Sequence, residues 1–317
     1  MGKLNVLKIM LIVFCAGLFS CTEADMDIAV KQGNLMVHPR WSAQGVYPCT
    51  YVMFNCDTEA FVYHSECASQ ENEEHVTQTL PEGKYRVMAY NNNVDGLEYV
   101  FTNNYHQAMV RSLPKTEARA ATTRLAEPSA VYVALSDEVV VVDKENITTR
   151  PGLISRTKTL RFTFTLTGIN NVARISGALP GVYPSVLLAS GQITAEEKKR
   201  CPEVAIPFNA SVENGKGQVV IRLFGILDPA DSDSPYSNTL PLTLSDTDGN
   251  QITTVIVDMN ETITNMLKAN EGTLPPEESG KEVNIDIQVK PIFGEGNLTA
   301  TVKSWYTGIQ AEGTGSI

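Results

Sequence analysis

The feature that most constrains this chain is a strict alternation of apolar and polar residues over short stretches. Residues 160–167 read LRFTFTLT, and residues 283–290 read VNIDIQVK. Every second residue is apolar, and the two apolar sets are Leu160, Phe162, Phe164 and Leu166, and Val283, Ile285, Ile287 and Val289. A period of two places alternate side chains on opposite faces of a β-strand. Both stretches are therefore predicted to be half-buried strands.

Looser alternation recurs along both halves of the chain, with Gly, Pro and Asn between the apolar runs. Short strands at this spacing, with few helix signals, predict an all-β fold of antiparallel β-sandwiches. Strands and helices do not alternate, which argues against a doubly wound nucleotide-binding fold. The 317 residues leave room for two domains, because a domain commonly has about 150 residues.

The stretch most like a linker is residues 146–158, which read NITTRPGLISRTK. It lacks alternation, contains Pro151-Gly152 and separates two apolar runs, and these are signs of a domain boundary. We therefore predict an N-terminal domain at residues 21–150 and a C-terminal domain at residues 157–317.

The first 20 residues have the features of a secretion signal. Two lysines precede an apolar run at residues 9–19, which is shorter than the roughly 20 residues that a membrane-spanning helix needs. The run ends in Leu18-Phe19-Ser20-Cys21, which resembles the bacterial lipobox except for its bulky phenylalanine. Removal of residues 1–20 and lipidation of Cys21 are predicted, with anchoring in outer-membrane lipid. The alternative is an ordinary signal peptide followed by a chance cysteine.

The charge and the reactive side chains argue against several classes of function. Lys and Arg number 25 against 36 Asp and Glu, and a net charge of −11 disfavours binding to nucleic acid. The four histidines have no spacing typical of metal ligands; they are His38, His64, His75 and His106. No serine nucleophile motif is present. We therefore expect no catalysis, no cofactor and no metal site.

Three local signals predict turns and short helices. Residues 245–251, SDTDGNQ, contain spaced carboxylates, but Asp248-Gly249 between two apolar runs favours a hairpin turn over a calcium site. Thr194 and Glu197 form a capping box for one short helix. Residues 261–270 predict a second helix that closes at Gly272.

Four cysteines remain once the signal and the lipidated residue are set aside: Cys49, Cys56, Cys67 and Cys201. Outside the cytoplasm they can pair in three ways. Cys56 and Cys67 flank a predicted hairpin at residues 57–66, and they are the preferred disulfide pair. The alternative is that the cysteines are buried thiols, which pack as small hydrophobes.

One stretch resembles a known family. Residues 80–91, LPEGKYRVMAYN, resemble the LPxGxYxVxAYN segment of the fimbrillin-like proteins of the Bacteroidales, which are subunits and anchors of type V pili. Residues 34–41, NLMVHPRW, and residues 175–191 are similar to the same family. In residues 80–91, a Pro-Glu-Gly turn precedes a core strand whose Tyr85, Val87 and Ala89 face inward, with Tyr90 stacked over its edge.

The resemblance implies two tandem transthyretin-like β-sandwich domains in a surface-exposed outer-membrane lipoprotein. It implies assembly with other fimbrial subunits, in which an added strand fills a groove left when cleavage after an arginine removes the N-terminal strand. Arg40 is the predicted processing site, and other arginines in loop-like stretches are Arg119, Arg124, Arg150 and Arg156. The polar, Gly-rich chain end after Gln310 favours an anchor or accessory subunit over a stalk subunit.

The alternative from another class is a surface glycan-binding lipoprotein with stacked β-sandwiches. Sugar sites commonly use exposed aromatic platforms, and Trp305-Tyr306 is the candidate platform here, although it can equally cap a sandwich core. A flat aromatic shelf favours the glycan binder. An apolar N-terminal strand packed in a groove favours the pilus component.

Overall fold

A computed structural model describes residues 30–40, 48–67, 76–92, 94–115, 123–231, 236–277, 282–292 and 297–308. Within these ranges the chain is built almost entirely of β-strands, with two short α-helices and a 3-10 turn at Cys201–Glu203. The all-β prediction is confirmed. The predicted signal peptide and Cys21 lie outside the described residues.

The strands of the first half are β1 (Gln32–Val37), β2 (Cys49–Asn55), β3 (Phe61–Cys67), β4 (Val76–Pro81), β5 (Gly83–Asn91), β6 (Leu97–Val100), β7 (Met109–Ser112), β8 (Thr123–Arg124), β9 (Tyr132–Leu135), β10 (Val139–Val141), β11 (Asn146–Thr149) and β12 (Gly152–Ser155). Those of the second half are β13 (Lys158–Leu166), β14 (Arg174–Pro180), β15 (Ser185–Leu187), β16 (Val204–Glu213), β17 (Lys216–Leu223), β18 (Thr239–Ser245), β19 (Gln251–Asp258), β20 (Val283–Pro291) and β21 (Leu298–Thr307). The helices are α1 (Ala195–Arg200) and α2 (Asn260–Ala269).

Two sheets form the sandwich of the first half. One has the order β11-β1-β4, and the other has the order β12-β9-β5-β2-β3 with β10 paired to one end of β5. Their facing side chains form one core, in which Leu35 and Val37 of the first sheet pack with Tyr51 and Tyr85 of the second. The first half is therefore a sandwich whose smaller layer holds β1 at its centre.

Strand β5 carries the family-like stretch and is buried on both faces. Tyr85, Val87 and Ala89 point into the sandwich core, as predicted. Met88 and Tyr90 point into a second apolar cluster on the opposite face. Tyr90 is therefore not an edge residue, because β5 lies in the middle of its sheet and both of its faces are covered.

The second half is built around a nine-stranded sheet in the order β19-β18-β14-β16-β17-β13-β20-β21, to which β8 of the first half belongs through its pairing with β16. Its end strands β19 and β21 lie beside each other, so the sheet curls into a nearly closed barrel. The predicted inward residues of β13 and β20 are all buried in its core. These two strands are parallel neighbours, with Phe162 opposite Ile285, whereas the other neighbours along the order of this sheet are antiparallel, as predicted.

The two halves are in contact through a small sheet and a shared apolar cluster. Strand β15 of the second half pairs with β7 of the first in the order β15-β7-β6. The shared cluster joins Phe54, Tyr90 and Val110 with Leu188 and Phe224. Because this cluster buries apolar side chains from both halves, each half stabilises the other.

The stretch predicted as a linker at residues 146–158 contains two strands. Strand β11 pairs in parallel with β1, and β12 pairs antiparallel with β9. The stretch therefore completes both sheets of the first half, and the passage into the second half is limited to residues 156 and 157. The proposed domain bounds, 21–150 and 157–317, stay a prediction.

The predicted turns and helix caps are present. The Oγ1 of Thr194 accepts the backbone N–H of Glu197 at 3.2 Å and caps α1. Gly272 has φ +82° and donates its N–H to Leu267 at 2.8 Å, just after the end of α2. Gly249 has φ +84° in the hairpin turn between β18 and β19, a conformation that glycine adopts without strain.

Candidate functional site

The candidate functional site is the seat of β1 between β4 and β11. Strand β1 runs antiparallel to β4, with Val37 opposite Val76, and parallel to β11, with Val37 opposite Thr149. The chain on either side of β1 is also paired: Glu82 donates its N–H to Lys31 at 2.8 Å, and His38 donates to Thr149 at 2.9 Å. The first described strand is thus inserted between two strands that do not pair with each other.

The inward face of β1 is apolar and fully covered. Leu35 and Val37 have no exposed surface and pack in the sandwich core. Gly33 precedes them on the same face, and a Cβ built on it would overlap the carbonyl oxygen of Val142 and lie 3.0 Å from that of Glu145. The seat therefore accepts one pattern: a glycine, then an apolar side chain at each of the next two inward positions.

The outward face of β1 is joined to both neighbours by a polar ladder. The Nδ2 of Asn34 donates to the Oδ1 of Asn146 at 2.8 Å. The Oγ1 of Thr79 donates to the Oδ1 of Asn34 at 2.8 Å. One side chain of β1 thus bridges β4 and β11 and fixes the register of the three strands.

Arg40 lies exposed two residues after the strand-pairing His38. Its backbone N–H donates to Pro151 at 3.0 Å, and it forms a parallel bridge with Gly152. Residues 41–47, which follow it, lie outside the described residues. A peptidase that cleaves after Arg40 would reach its side chain directly but would first have to open this pairing.

The other arginines proposed for processing lie in different settings. Arg124 is on β8, opposite Ala205, Arg150 is exposed between β11 and β12, and Arg119 lies outside the described residues. Arg156 is buried, and its Nε and Nη2 donate to the carbonyls of Leu188 and Ala189, each at 2.8 Å. Arg156 is therefore a structural contact between the halves and is not accessible to a protease.

The structure does not bring Cys56 and Cys67 together. Cys56 follows the last residue of β2, whereas Cys67 ends β3, so they lie at opposite ends of the β2–β3 hairpin. Cys67 is instead the direct cross-strand partner of Cys49. Cys201 lies after α1 in the second half, where burial raises the pKa of its thiol to about 12.

Neither Trp305 nor the aromatic group around Phe54 forms a flat shelf. Trp305 on β21 is half-buried and packs against the barrel core. A second group lies where β3 begins, with Phe54 as its centre. Its rings meet edge to face, since Phe54 makes angles of 76° with Phe61 and 78° with Tyr105. Such a group packs against itself and presents no continuous plane to a sugar.

Two other kinds of site are absent from the described ranges. No three His, Cys, Asp or Glu side chains there are grouped as metal ligands. No helix there is long and apolar enough to cross a membrane.

Known structures share this two-part, all-β architecture. A candidate adhesin from Bacteroides ovatus has a TM-score of 0.56 at 14% identity, over 84% of this chain and 91% of that one. A candidate polysaccharide-binding protein from Bacteroides thetaiotaomicron has a TM-score of 0.50 at 14% identity, over 89% and 99%. The fimbrial anchor protein Mfa2 from Porphyromonas gingivalis has 0.50 at 12%, over 87% and 97%.

No protein-family model matches the sequence, and none of the curated proteins matches it. At identities this low, the structural likeness establishes the fold. The fold implied by the fimbrillin-like resemblance is thereby confirmed.

Sequence reasoning noticed residues 34–41 but did not identify β1 as a buried central strand. Its fully buried apolar residues are only Leu35 and Val37, while Asn34 and Met36 on the other face are half-buried. The sequence signal that could have indicated the buried strand is Gly33. A glycine inside a strand often marks the close approach of another backbone segment.

Proposed function

We propose that this chain is a component of a surface fimbrium, acting as an anchor, accessory or stalk subunit, that joins other subunits through β-strand addition and supports adhesion. The proposal includes export as a lipoprotein lipidated at Cys21 and exposed on the outer membrane. It excludes an enzymatic role. The fold shared with the fimbrial anchor protein Mfa2 supports it.

The observation that carries the proposal is the position of β1 between β4 and β11, with exposed Arg40 just beyond it. Cleavage after Arg40 would allow β1 to leave. Departure would uncover the core beside Tyr51 and Tyr85 and leave the edges of two strands unpaired. Exposed apolar surface and unpaired backbone groups are both costly in water, so the groove would bind a new strand.

The groove sets conditions on the incoming strand. Since β1 is antiparallel to β4 and parallel to β11, a replacement strand in either direction finds one antiparallel neighbour and one parallel neighbour. Its side chains must fit the inward positions of Gly33, Leu35 and Val37. A donor strand that runs in the direction of β1 therefore needs a glycine followed by apolar residues two and four positions later, and a strand in the opposite direction needs the reverse order.

The test uses the full chain, cleaved with an arginine-specific endopeptidase, and an R40K variant that this peptidase does not cut at position 40. A labelled peptide of residues 30–38 is added, and its capture is measured. We expect capture by the cleaved protein, and at least tenfold weaker capture by R40K. A control peptide with Leu35→Asp and Val37→Asp should not bind, because it would bury two charges.

Equal capture of both peptides, or equal capture by both proteins, would show that the seat of β1 does not accept strands.

Mass spectrometry of the N-terminus of protein from the cell surface then assigns the role. A lipidated Cys21 on an intact chain indicates an anchor or accessory subunit. A new terminus after Arg40 indicates a polymerising subunit.

The glycan-binding alternative has weaker support. A neighbour in structure is described as a candidate polysaccharide-binding protein, but Trp305 packs against the barrel core, and Phe54 meets Phe61 and Tyr105 edge to face. The seated apolar strand is the feature that distinguishes the two functions, and it favours the fimbrial component.

A further inference from the structure

Cys49 and Cys67 occupy directly opposite positions at one end of the β2–β3 pair. Cys49 begins β2, and Cys67 ends β3. Both are buried, at 0% and 3% exposure, and both belong to the apolar core of the first sandwich. Direct partners in an antiparallel pair point to the same face of the sheet, so the two thiols extend from neighbouring strands into the same core.

This placement satisfies the first geometric condition for a disulfide. Directly opposed residues of an antiparallel pair have Cα atoms about 4.5 or 5.5 Å apart, depending on their hydrogen bonding. Disulfides join Cα atoms roughly 4.4–6.8 Å apart. The Cα separation expected for Cys49 and Cys67 therefore lies within the range that disulfides span.

The other two cysteines are placed differently. Cys56 lies beyond the far end of the hairpin, and the seven residues of β3 separate it from Cys67 by about 20 Å at the usual rise of a strand. Cys201 belongs to the second half, where its Sγ donates to the carbonyl of Glu197 at 3.5 Å. Of the three pairings with Cys67, only the one with Cys49 is brought together by a strand register.

We propose that Cys49 and Cys67 are an oxidation site, and that they form an intramolecular disulfide when the chain meets an oxidant of the disulfide class. In the reaction, one thiol is deprotonated and attacks the oxidant's disulfide, which releases the first thiol of the oxidant. The second cysteine thiolate then attacks the mixed disulfide and releases the other. The two cysteines are oxidised, the oxidant is reduced to two thiols, and the two cysteine protons go to those thiols.

The disulfide would act on the edge strand of a sheet. Strand β3 is the last strand in the order β12-β9-β5-β2-β3, and β2 is its partner there. Phe61 and Val62 at its other end are exposed, and exposed apolar end strands are prone to pair with other chains. A covalent link at Cys67 would hold this end of β3 on β2 while the rest of β3 moves.

The first experiment maps the cysteines of the full chain after incubation with glutathione disulfide and alkylation under denaturing, non-reducing conditions. Trypsin is unsuitable, because the sequence has no Lys or Arg between Arg40 and Lys84. Chymotrypsin, which cleaves after residues such as Phe54 and Phe61, separates Cys49, Cys56 and Cys67. We expect one linked pair of fragments, with Cys49 and Cys67, and alkylated Cys56.

Linkage of Cys67 to Cys56 or Cys201 would overturn the proposal, and so would full alkylation of Cys49 and Cys67. Thermal melting of the C49S and C56S variants gives a second readout. Reduction should lower the Tm of wild type and C56S by roughly 5 °C or more and leave C49S unchanged. An equal effect of reduction on all three proteins would contradict the assignment. If C49S does not fold, the fragment map of the wild type decides.

Discussion

Gly33 on β1 lies so close to the carbonyl oxygen of Val142 that a Cβ built on Gly33 would overlap that oxygen. The contact arises where the chain leaves β10, and the N–H of Lys144 also donates to the carbonyl of Gln32 there, at 2.7 Å. A G33A variant must shift β1 or the turn at residues 142–145. We expect it to lose roughly 2 kcal/mol or more of unfolding free energy, as overpacked sites do.

A matched control is the G152A variant. Gly152 also lies in a strand of the first half, but a Cβ built on it meets nothing within 4 Å. Its stability should therefore stay within about 1 kcal/mol of wild type. Urea unfolding of both variants measures the difference, and equal losses would show that β1 is not held tightly at Gly33.

Arg222 and Glu277 form a two-pronged ion pair in which the Nη2 and Nε of the arginine donate to the carboxylate at 2.7 and 2.9 Å. The Oγ1 of Thr157 donates to the same carboxylate at 2.8 Å, and the hydrogen bonds that Arg222 donates to Glu277 raise the pKa of Arg222. The E277Q variant should lose about 1–2 kcal/mol, because a partly buried cation loses its counter-charge.

The control for that variant is E138Q. Glu138 is paired with Lys84 at 2.8 Å, but both side chains are exposed. Exposed pairs contribute little, so its unfolding free energy should change by less than about 1 kcal/mol. Chemical unfolding at low and high salt measures the free energy of unfolding of the two variants, E277Q and E138Q. A smaller loss for E277Q than for E138Q would contradict the expectation.

Tyr99 stacks on Tyr90 with ring centroids 4.8 Å apart and donates its hydroxyl to the carbonyl of Asn91 at 2.5 Å. Burial raises the pKa of the Tyr99 hydroxyl, so it stays protonated as a donor. The Y99F variant keeps the stacking and loses the hydrogen bond, which should cost about 1–2 kcal/mol. Thermal melting measures this cost, and an unchanged Tm would show that water replaces the lost bond.

Residues that alternate strictly could be placed from the sequence, because alternation reports which face of a strand is buried. Strands β13 and β20 were predicted this way, and their inward residues are buried in the barrel core. The direction of pairing was not predictable from alternation. Leu160 lies opposite Val283 in a parallel pair, and a parallel pair of this kind has no short turn between its strands to reveal it.

The candidate site depends on contacts between distant parts of the chain, which explains why the sequence revealed little of it. Strand β11 pairs with β1 across more than a hundred residues, from Asn34 to Asn146, and alone it resembles a linker. The cysteines show the same limit. The prediction of Cys56 with Cys67 placed the whole hairpin within residues 57–66, whereas the hairpin consists of β2 and β3, so that Cys49 and Cys67 are the residues that lie opposite each other at its open end.

Lys158 begins β13 beside buried Arg156, and burial together with that neighbouring cation lowers the pKa of its amine to about 8 from 10.5. The unfolded chain therefore binds a proton that the folded chain does not, between about pH 8 and pH 10.5. The free energy of unfolding should therefore increase as the pH rises through this window. The same gain should be lost as the pH falls back through 8. Below pH 8 the folded protein holds a charged amine in a partly dry position.

The K158M variant removes that charge and keeps most of the side-chain length. We expect it to melt at a higher temperature than wild type at pH 7, and the advantage should shrink at pH 9.5, where wild-type Lys158 is largely neutral. The matched control is K216M, since Lys216 is exposed at the start of β17, and its difference from wild type should not change between the two pH values. An advantage of K158M that is the same at both pH values would mean that added apolar contact, and not the removed charge, stabilises the variant.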